Sequence, residues 1–250
     1  MKRHNDPTKN HLLSSLPKAE YERLAEHLEL VELKAGKTLY EPQGKLEHVY
    51  FPTTAIVSLL YEMESGETAA IAVIGSEAIL GIALFMGGAT TPNHAVVQCD
   101  GYAYRLKAEL LNKEFNRAGP VLRLLLRYTQ ALLTQMQQTA MCNQLHSLDE
   151  QLCRWLLLTF DRLSTRTLSM TQLQLADMLG VSREGINEAI GKLKGGGLIA
   201  SRRGRIDMLD RPGLEKAVCE CYEVVKKEYD RLINDIPRHD PKHVLGASSN

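Results

Sequence analysis

From Val31 to Leu106 no helical period survives. The apolar residues come in short runs, VEL, KTLY, HVYF, AIVSLLY, TAAIAVI, HAVVQC and YAYRL, each a few residues long. Turn signals divide them: Ala35-Gly36, Pro42-Gln43-Gly44, Phe51-Pro52, Glu64-Ser65-Gly66 and Cys99-Asp100-Gly101. Glycine, proline and short polar residues favour the tight backbone geometries that reverse a chain. Seven or eight short strands at this spacing point to an antiparallel sandwich or roll. Before them, a ragged start leads into SLPKAEYERLAEHLEL, which sets Leu16, Tyr21, Leu24 and Leu28 near one face of a helix.

After Gly119-Pro120 the pattern turns helical for about 27 residues, VLRLLLRYTQALLTQMQQTAMCNQLHS. Leu122, Leu125, Thr129, Leu132, Met136, Thr139 and Asn143 follow alternating steps of three and four, the spacing of a coiled-coil seam. Two readings fit: packing on the helix's own domain, or a two-helix dimer seam through Leu122, Leu125, Leu132 and Met136. Ser147-Leu148-Asp149-Glu150 then has capping-box spacing ahead of LCRWLLLTF, so a new helix starts there. The expected organisation is α+β: a β-roll over 1–118, a long helix and hinge over 119–146, a helical module over 147–235, and a disordered tail over 236–250.

Within the last module, Thr171 to Gln174 repeats the capping-box spacing and opens QLQLADMLG, with Leu173, Leu175, Ala176 and Leu179 as the expected buried stripe. Gly180 offers a left-handed stop. Ser182 is then placed to cap REGINEAIGKLK, whose Ile186, Ile190 and Leu193 share a face. Helix, short Gly-containing turn, helix is the helix-turn-helix arrangement. With the isoleucines inward, Arg183, Glu184, Asn187 and Glu188 face outward near the start of the second helix, where base edges are read in a major groove. Arginine can hold guanine through two hydrogen bonds, glutamate can accept from cytosine and asparagine can read adenine, so Arg183, Glu184 and Asn187 are the candidate readers. Past Gly195-Gly196-Gly197, LIAS and RIDML pair as a hairpin around Arg202-Arg203-Gly204. Ser182, Lys192, Arg202, Arg203 and Arg205 are the candidate phosphate contacts.

The chain has 30 basic and 30 acidic residues, so net charge alone suggests no polyanionic partner. The distribution does: Glu41–Leu110 holds 8 acidic against 3 basic residues, whereas Arg166–Arg211 holds 8 basic against 5 acidic. The basic end is where a polyanion would bind.

The stretch from HSLDEQLCRWLL through MTQLQLADMLGVSREGINEAIGKLKGGGLIASRRGRIDMLD resembles the winged helix-turn-helix of Crp/Fnr-type bacterial transcription regulators. There the module follows a β-roll of the cyclic-nucleotide-binding type, a jelly roll, and a long dimerisation helix, the order found here. The resemblance implies a homodimer on double-stranded DNA at a near-palindromic operator with half-sites about one helical turn apart, DNA bending, and RNA polymerase as a further partner. Arg183 and Glu184 match the Arg-Glu pair of the family's nucleotide-binding branch. Glu188 departs from it, since that branch carries a second base-reading arginine there.

The family's nucleotide cassette, Gly-Glu followed by Arg-Ser/Thr-Ala, corresponds here to GSEAILGIALFMGGATTPNHAVVQ. Asn93 stands where the arginine belongs, and no Arg or Lys occurs between Glu77 and Arg105. A buried phosphate without that cation forfeits about 1.5–3 kcal/mol per charge-assisted bond, so cyclic nucleotide is not expected. The family's iron-sulfur mechanism needs thiolates near the N-terminus, and the first cysteine is Cys99. Haem is also not expected, although His48, His94 or Cys99 could serve as an axial ligand in principle. Cys219 and Cys221, read as helical neighbours, would point about 200° apart, which disfavours a disulfide and shared metal ligation. No cofactor and no metal is therefore expected. Ile79, Leu80, Ile82, Leu84, Phe85 and Met86 leave an apolar roll that either takes an uncharged effector or serves as a scaffold.

No nucleophile elbow, His-Glu-x-x-His spacing or phosphate-binding glycine loop is present, so an enzyme is not expected. The start, MKRHNDPTKNHLL, has no apolar h-region, and five irregularly spaced cysteines do not form a disulfide framework. A cytoplasmic location is expected, with no membrane contact. The alternative to a DNA-binding regulator is an effector-binding or interaction module whose winged domain contacts protein.

Overall fold

A computed structural model describes residues 6–234; the tail expected over 236–250 lies outside them. The start is less ragged than the sequence implies. A short 3-10 turn, Pro7–Lys9, leads into helices α1 (His11–Ser14) and α2 (Lys18–Ala25). Buried Asn10 caps α1 by accepting from the Leu13 N–H, and its Nδ2 donates to the carbonyls of Pro52 and Ala78 at 2.9 and 2.8 Å. These bonds tie the segment to the roll and let Leu12 and Leu13 enter the core. A single helical turn is too short to show a period, so the sequence pattern misses it.

Seven strands follow where the apolar runs predict them: β1 (Glu29–Leu33), β2 (Thr38–Tyr40), β3 (His48–Pro52), β4 (Ile56–Glu62), β5 (Thr68–Ile74), β6 (His94–Cys99) and β7 (Gly101–Lys107). They form two antiparallel sheets, ordered β1-β7-β3 and β2-β6-β4-β5. Strand β4 lies between β5 and β6, and Ile56 to Leu60 are all buried, so period two is lost in a strand covered on both faces.

Helix α3 (Ala108–Phe115) links the roll to α4 (Pro120–Leu145), which starts with a proline where an N–H would be orphaned anyway. The structure changes the seam expected on α4. Leu125 and Leu132 are 3% and 1% exposed, buried in the protomer's own core, Met136 packs partly buried against the same core, and Leu122 is half-buried. Thr129 and Thr139 are buried too. The outward stripe runs one residue later, through Leu126, Gln130, Leu133, Gln137 and Ala140, with Leu126 and Leu133 52% and 44% exposed. Both stripes obey steps of three and four, and they are separated by 100° of helix rotation. Spacing alone cannot say which one the roll covers.

Helix α5 (Leu148–Phe160) begins with the predicted capping box. The Glu150 N–H donates to Ser147 Oγ, and Glu150 Oε2 accepts from the Ser147 N–H at 2.9 Å. After it come β8 (Thr167–Leu168), α6 (Gln172–Leu179), α7 (Arg183–Gly195), β9 (Ile199–Arg202), β10 (Arg205–Met208), α8 (Arg211–Ala217) and α9 (Cys221–Tyr229). The third sheet is ordered β8-β10-β9, so the expected hairpin carries an additional strand. With only two residues, β8 gives no alternation to read.

Polar contacts join this module and α4 to the roll. Arg162, just past α5, donates through Nε to Glu77 at 2.6 Å, and both side chains are largely buried. Gln135 of α4 donates to the Val73 carbonyl of β5, and Thr68 Oγ1 donates to the Asp177 carbonyl of α6.

Candidate nucleic-acid interface

The helix pair is built by local hydrogen bonds. At the start of α6, Thr171 Oγ1 accepts from the Gln174 N–H, and Gln174 Oε1 accepts from the Thr171 N–H at 2.8 Å. Gly180 ends α6 at φ +65°, and a Cβ there would stand 3.1 Å from the Ala69 Cβ of β5, so conformation and packing both favour glycine. Ser182 Oγ accepts from the Gly185 N–H at 3.2 Å and caps α7.

On α7, Ile186, Ala189, Ile190 and Leu193 are buried, while Arg183, Glu184, Asn187 and Glu188 are exposed on the opposite side. On α6 one expectation fails: Leu173 is 55% exposed, and Met178 joins Leu175, Ala176 and Leu179 inside. Leu173 is two residues from Leu175, about 200° around the helix, and so cannot share its face.

Leu173 instead lines a groove of about 540 Å³ between the start of α7 and the hairpin tip, together with Arg183, Arg202 and Arg203. The tip is the two-residue connection Arg203-Gly204 between paired Arg202 and Arg205, with Gly204 at φ +66°. The fold therefore brings Arg183 to the same concavity as Arg202 and Arg203, about 20 residues further along the sequence. None of the three forms a salt bridge among the described residues, whereas the other candidate cations are engaged.

Lys192 Nζ lies 3.0 Å from both Asp149 and Glu188, and its pKa is raised by the hydrogen bonds to Asp149 and then Glu188. Arg205 donates through Nε to Asp207 at 2.8 Å and reaches Thr167 Oγ1 of β8 at 3.1 Å. Hydrogen bonds from Thr167 and then Arg205 hold the Asp207 carboxyl below its usual range. Glu188, the position that departs from the resembled branch, thus acts here as an intrahelical partner of Lys192.

The roll has its own cavity of about 180 Å³, lined by apolar residues including Leu59, Ile79, Leu80, Leu132 and Met136, with Asn93 on its wall. Glu77, the cassette carboxylate, does not line it and is held by Arg162. His94 lies between Glu41 Oε2 at 2.9 Å and Glu62 Oε2 at 3.1 Å, and burial pushes the Cys99 thiol up to about 11.

A jelly roll, a long helix and a winged helix-turn-helix in this order define a class of two-domain transcription regulators. Residues 30–118 match the family model of the cyclic nucleotide-binding domain, and residues 150–217 match that of the Crp-like helix-turn-helix domain. The chain belongs to the Crp/Fnr-type transcription regulators. It is 22% identical over 198 residues to the global nitrogen regulator of Synechococcus elongatus, covering 76% of this chain and 89% of that one. Among solved structures, a putative Crp/Fnr-family regulator from Eubacterium rectale superposes with a TM-score of 0.64 at 17% identity, covering 84% of this chain and 98% of that one. FixK2 from Bradyrhizobium japonicum gives 0.64 at 19% identity, with 77% and 98% covered. At these identities the two structures speak for the fold. No helix among the described residues is long and apolar enough to cross a membrane.

Proposed function

We propose that the chain is a dimeric, cytoplasmic regulator and not an enzyme, binding a near-palindromic operator without control by cyclic nucleotide. Arg183, Glu184 and Asn187 read base edges from the start of α7, while Ser182, Arg202 and Arg203 hold phosphates. Lys192 and Arg205 contribute less, because carboxylates already engage them. The observation that carries this reading is the groove in which exposed Arg183 faces the arginines of the hairpin tip. A helix laid in the major groove beside such a tip receives orientation from phosphate and specificity from bases. The dimer forms through the outward stripe of α4, Leu126 to Ala140, and RNA polymerase is a further partner of the bound complex.

Independence from cyclic nucleotide is supported by the roll cavity. Among the described residues no Lys or Arg lines it and the polar side chains on its wall are Tyr40, Thr91 and Asn93, while Glu77 is committed to Arg162. An occupant of this cavity is small and uncharged, since an anion there would lose its hydration without a cation in return.

The test is selection of bound sequences from a random DNA pool by the purified chain, with and without cyclic AMP. The expected result is one near-palindromic motif, half-sites about one helical turn apart, enriched equally in both arms. No enrichment in either arm, together with no retention on heparin at low salt, overturns the DNA-binding reading. Enrichment only with cyclic AMP overturns the independence from nucleotide.

A further inference from the structure

Cys142 lies in the last turn of α4, and His146 is the residue that caps the helix, its N–H donating to the Cys142 carbonyl, so the two stand close together at the helix end. Cys219 and Cys221 arrive from more than 70 residues further along the chain, 77 between Cys142 and Cys219 and 75 between His146 and Cys221. Cys219 lies in the link between α8 and α9, and Cys221 is the first residue of α9. They are therefore not helical neighbours, and the 200° separation expected of them does not hold: the link turns Cys219 back towards α4. The three sulfurs and one imidazole nitrogen all lie within 4.8 Å of one another. Cys142 Sγ is 3.5 Å from Cys219 Sγ, and Cys221 Sγ is 3.6 Å from His146 Nδ1.

A tetrahedral ion with bonds of about 2.3 Å to sulfur and about 2.0 Å to nitrogen sets its ligand atoms roughly 3.5–3.8 Å apart. The Cys142–Cys219 and Cys221–His146 pairs already have that spacing, and no pair exceeds it by more than about 1 Å.

We propose that Cys142, His146, Cys219 and Cys221 form a four-ligand site for a thiophilic divalent ion of the zinc class, which fastens the end of α4 to the start of α9. Three thiolates and an imidazole select such an ion over calcium or magnesium, which take oxygen ligands.

Two surrounding groups fit the assignment. His146 presents Nδ1 to the sulfurs while Nε2 faces Glu220 Oε2 at 3.4 Å, the carboxylate arrangement that fixes the tautomer of a metal-bound histidine. Arg154, only 3% exposed, donates through Nη1 to Thr139 Oγ1 at 3.0 Å, and its Nε has no hydrogen-bond partner among the described residues. Burial pushes the Cys142 thiol up, and Arg154 pulls against it. Three thiolates and a divalent ion carry one net negative charge, which this buried guanidinium offsets. Because His146 directly precedes the cap of α5, the ion would stiffen the hinge between α4 and the helix-turn-helix module. The inference does not depend on DNA binding.

The full chain, reduced and freed of metal by a chelator, is titrated with Co2+ and then with Zn2+. The expected result is one Co2+ per chain with the intense d–d and sulfur-to-metal absorption of a tetrahedral thiolate site, displaced by one equivalent of Zn2+. The Cys219→Ser/Cys221→Ser double variant is expected to lose this spectrum while a Cys99→Ser control keeps it. Glu220→Gln, which changes an exposed group and leaves the ligands in place, is expected to weaken Zn2+ about 10-fold in chelator competition. Only octahedral, weakly absorbing Co2+ on the reduced unmodified chain overturns the proposal, and does so whether or not the variants fold.

Discussion

Replacing Leu133 by glutamate and, separately, Leu132 by alanine tests which stripe of α4 meets a second copy. Leu132 is 1% exposed, so truncating it leaves a cavity in the protomer core and should lower folding stability by about 2–5 kcal/mol. Leu133 and Leu126 are about half exposed in the protomer. Full burial of a leucine side chain is worth about 1.5–3 kcal/mol, so covering the exposed half gives roughly 0.7–1.5 kcal/mol each, and four such side chains per dimer give about 3–6 kcal/mol. Leu133→Glu removes two of these contributions, about 1.5–3 kcal/mol. That alone weakens the dimer roughly 10- to 150-fold, before the cost of setting two carboxylates in an apolar seam. Sedimentation equilibrium over a protein concentration series reads the dissociation constant, and urea unfolding at fixed concentration reads stability. The expected pattern is a monomeric but foldable Leu133→Glu chain and a destabilised Leu132→Ala chain whose native fraction still dimerises. A Leu132→Ala chain that dissociates with an unchanged unfolding midpoint, beside a Leu133→Glu chain that stays dimeric, would refute the one-residue assignment.

The remaining predictions concern charges. Arg183→Ala should weaken the selected operator by about 1–3 kcal/mol and relax one base position without moving the melting temperature, because the side chain is exposed and forms no salt bridge among the described residues. Fluorescence anisotropy on operator and random DNA reads this, and equal losses on both remove Arg183 from the readers. Arg203→Ala should weaken all sequences alike and lower the salt slope by about 1. Lys192→Ala should lower that slope by clearly less, since Asp149 and Glu188 already hold the ammonium; a full unit would mean that both carboxylates release it on DNA. Glu77→Ala leaves Arg162 buried without its carboxylate and should cost about 3–5 kcal/mol in urea unfolding. A loss under about 1 kcal/mol would show that water reaches the guanidinium and that the pair does not tie α5 to the roll.

What could be read in the sequence were the features decided within a few residues. The seven strands appear where short apolar runs meet turn residues, because alternation and chain reversal are local properties of the backbone. The caps at Ser147, Thr171 and Ser182 were legible for the same reason: each depends on a side chain bonding an N–H three residues on. The outward set Arg183, Glu184 and Asn187 followed from the isoleucine period of α7. Tertiary structure decided the rest, wherever two local patterns competed or distant segments met. On α4 two stripes of the same three-and-four spacing lie one residue apart, and only packing in the tertiary structure buries Leu125 and Leu132 and leaves Leu126 and Leu133 outside. Lys192 and Arg205 look like free cations in the sequence, yet Asp149, 43 residues from Lys192, and Thr167, 38 residues from Arg205, engage them. Cys142 and His146 meet Cys219 and Cys221 only because α9 returns to the end of α4. Periodicity describes one element's own faces, whereas burial, charge pairing and shared ligation depend on what another element brings to those faces.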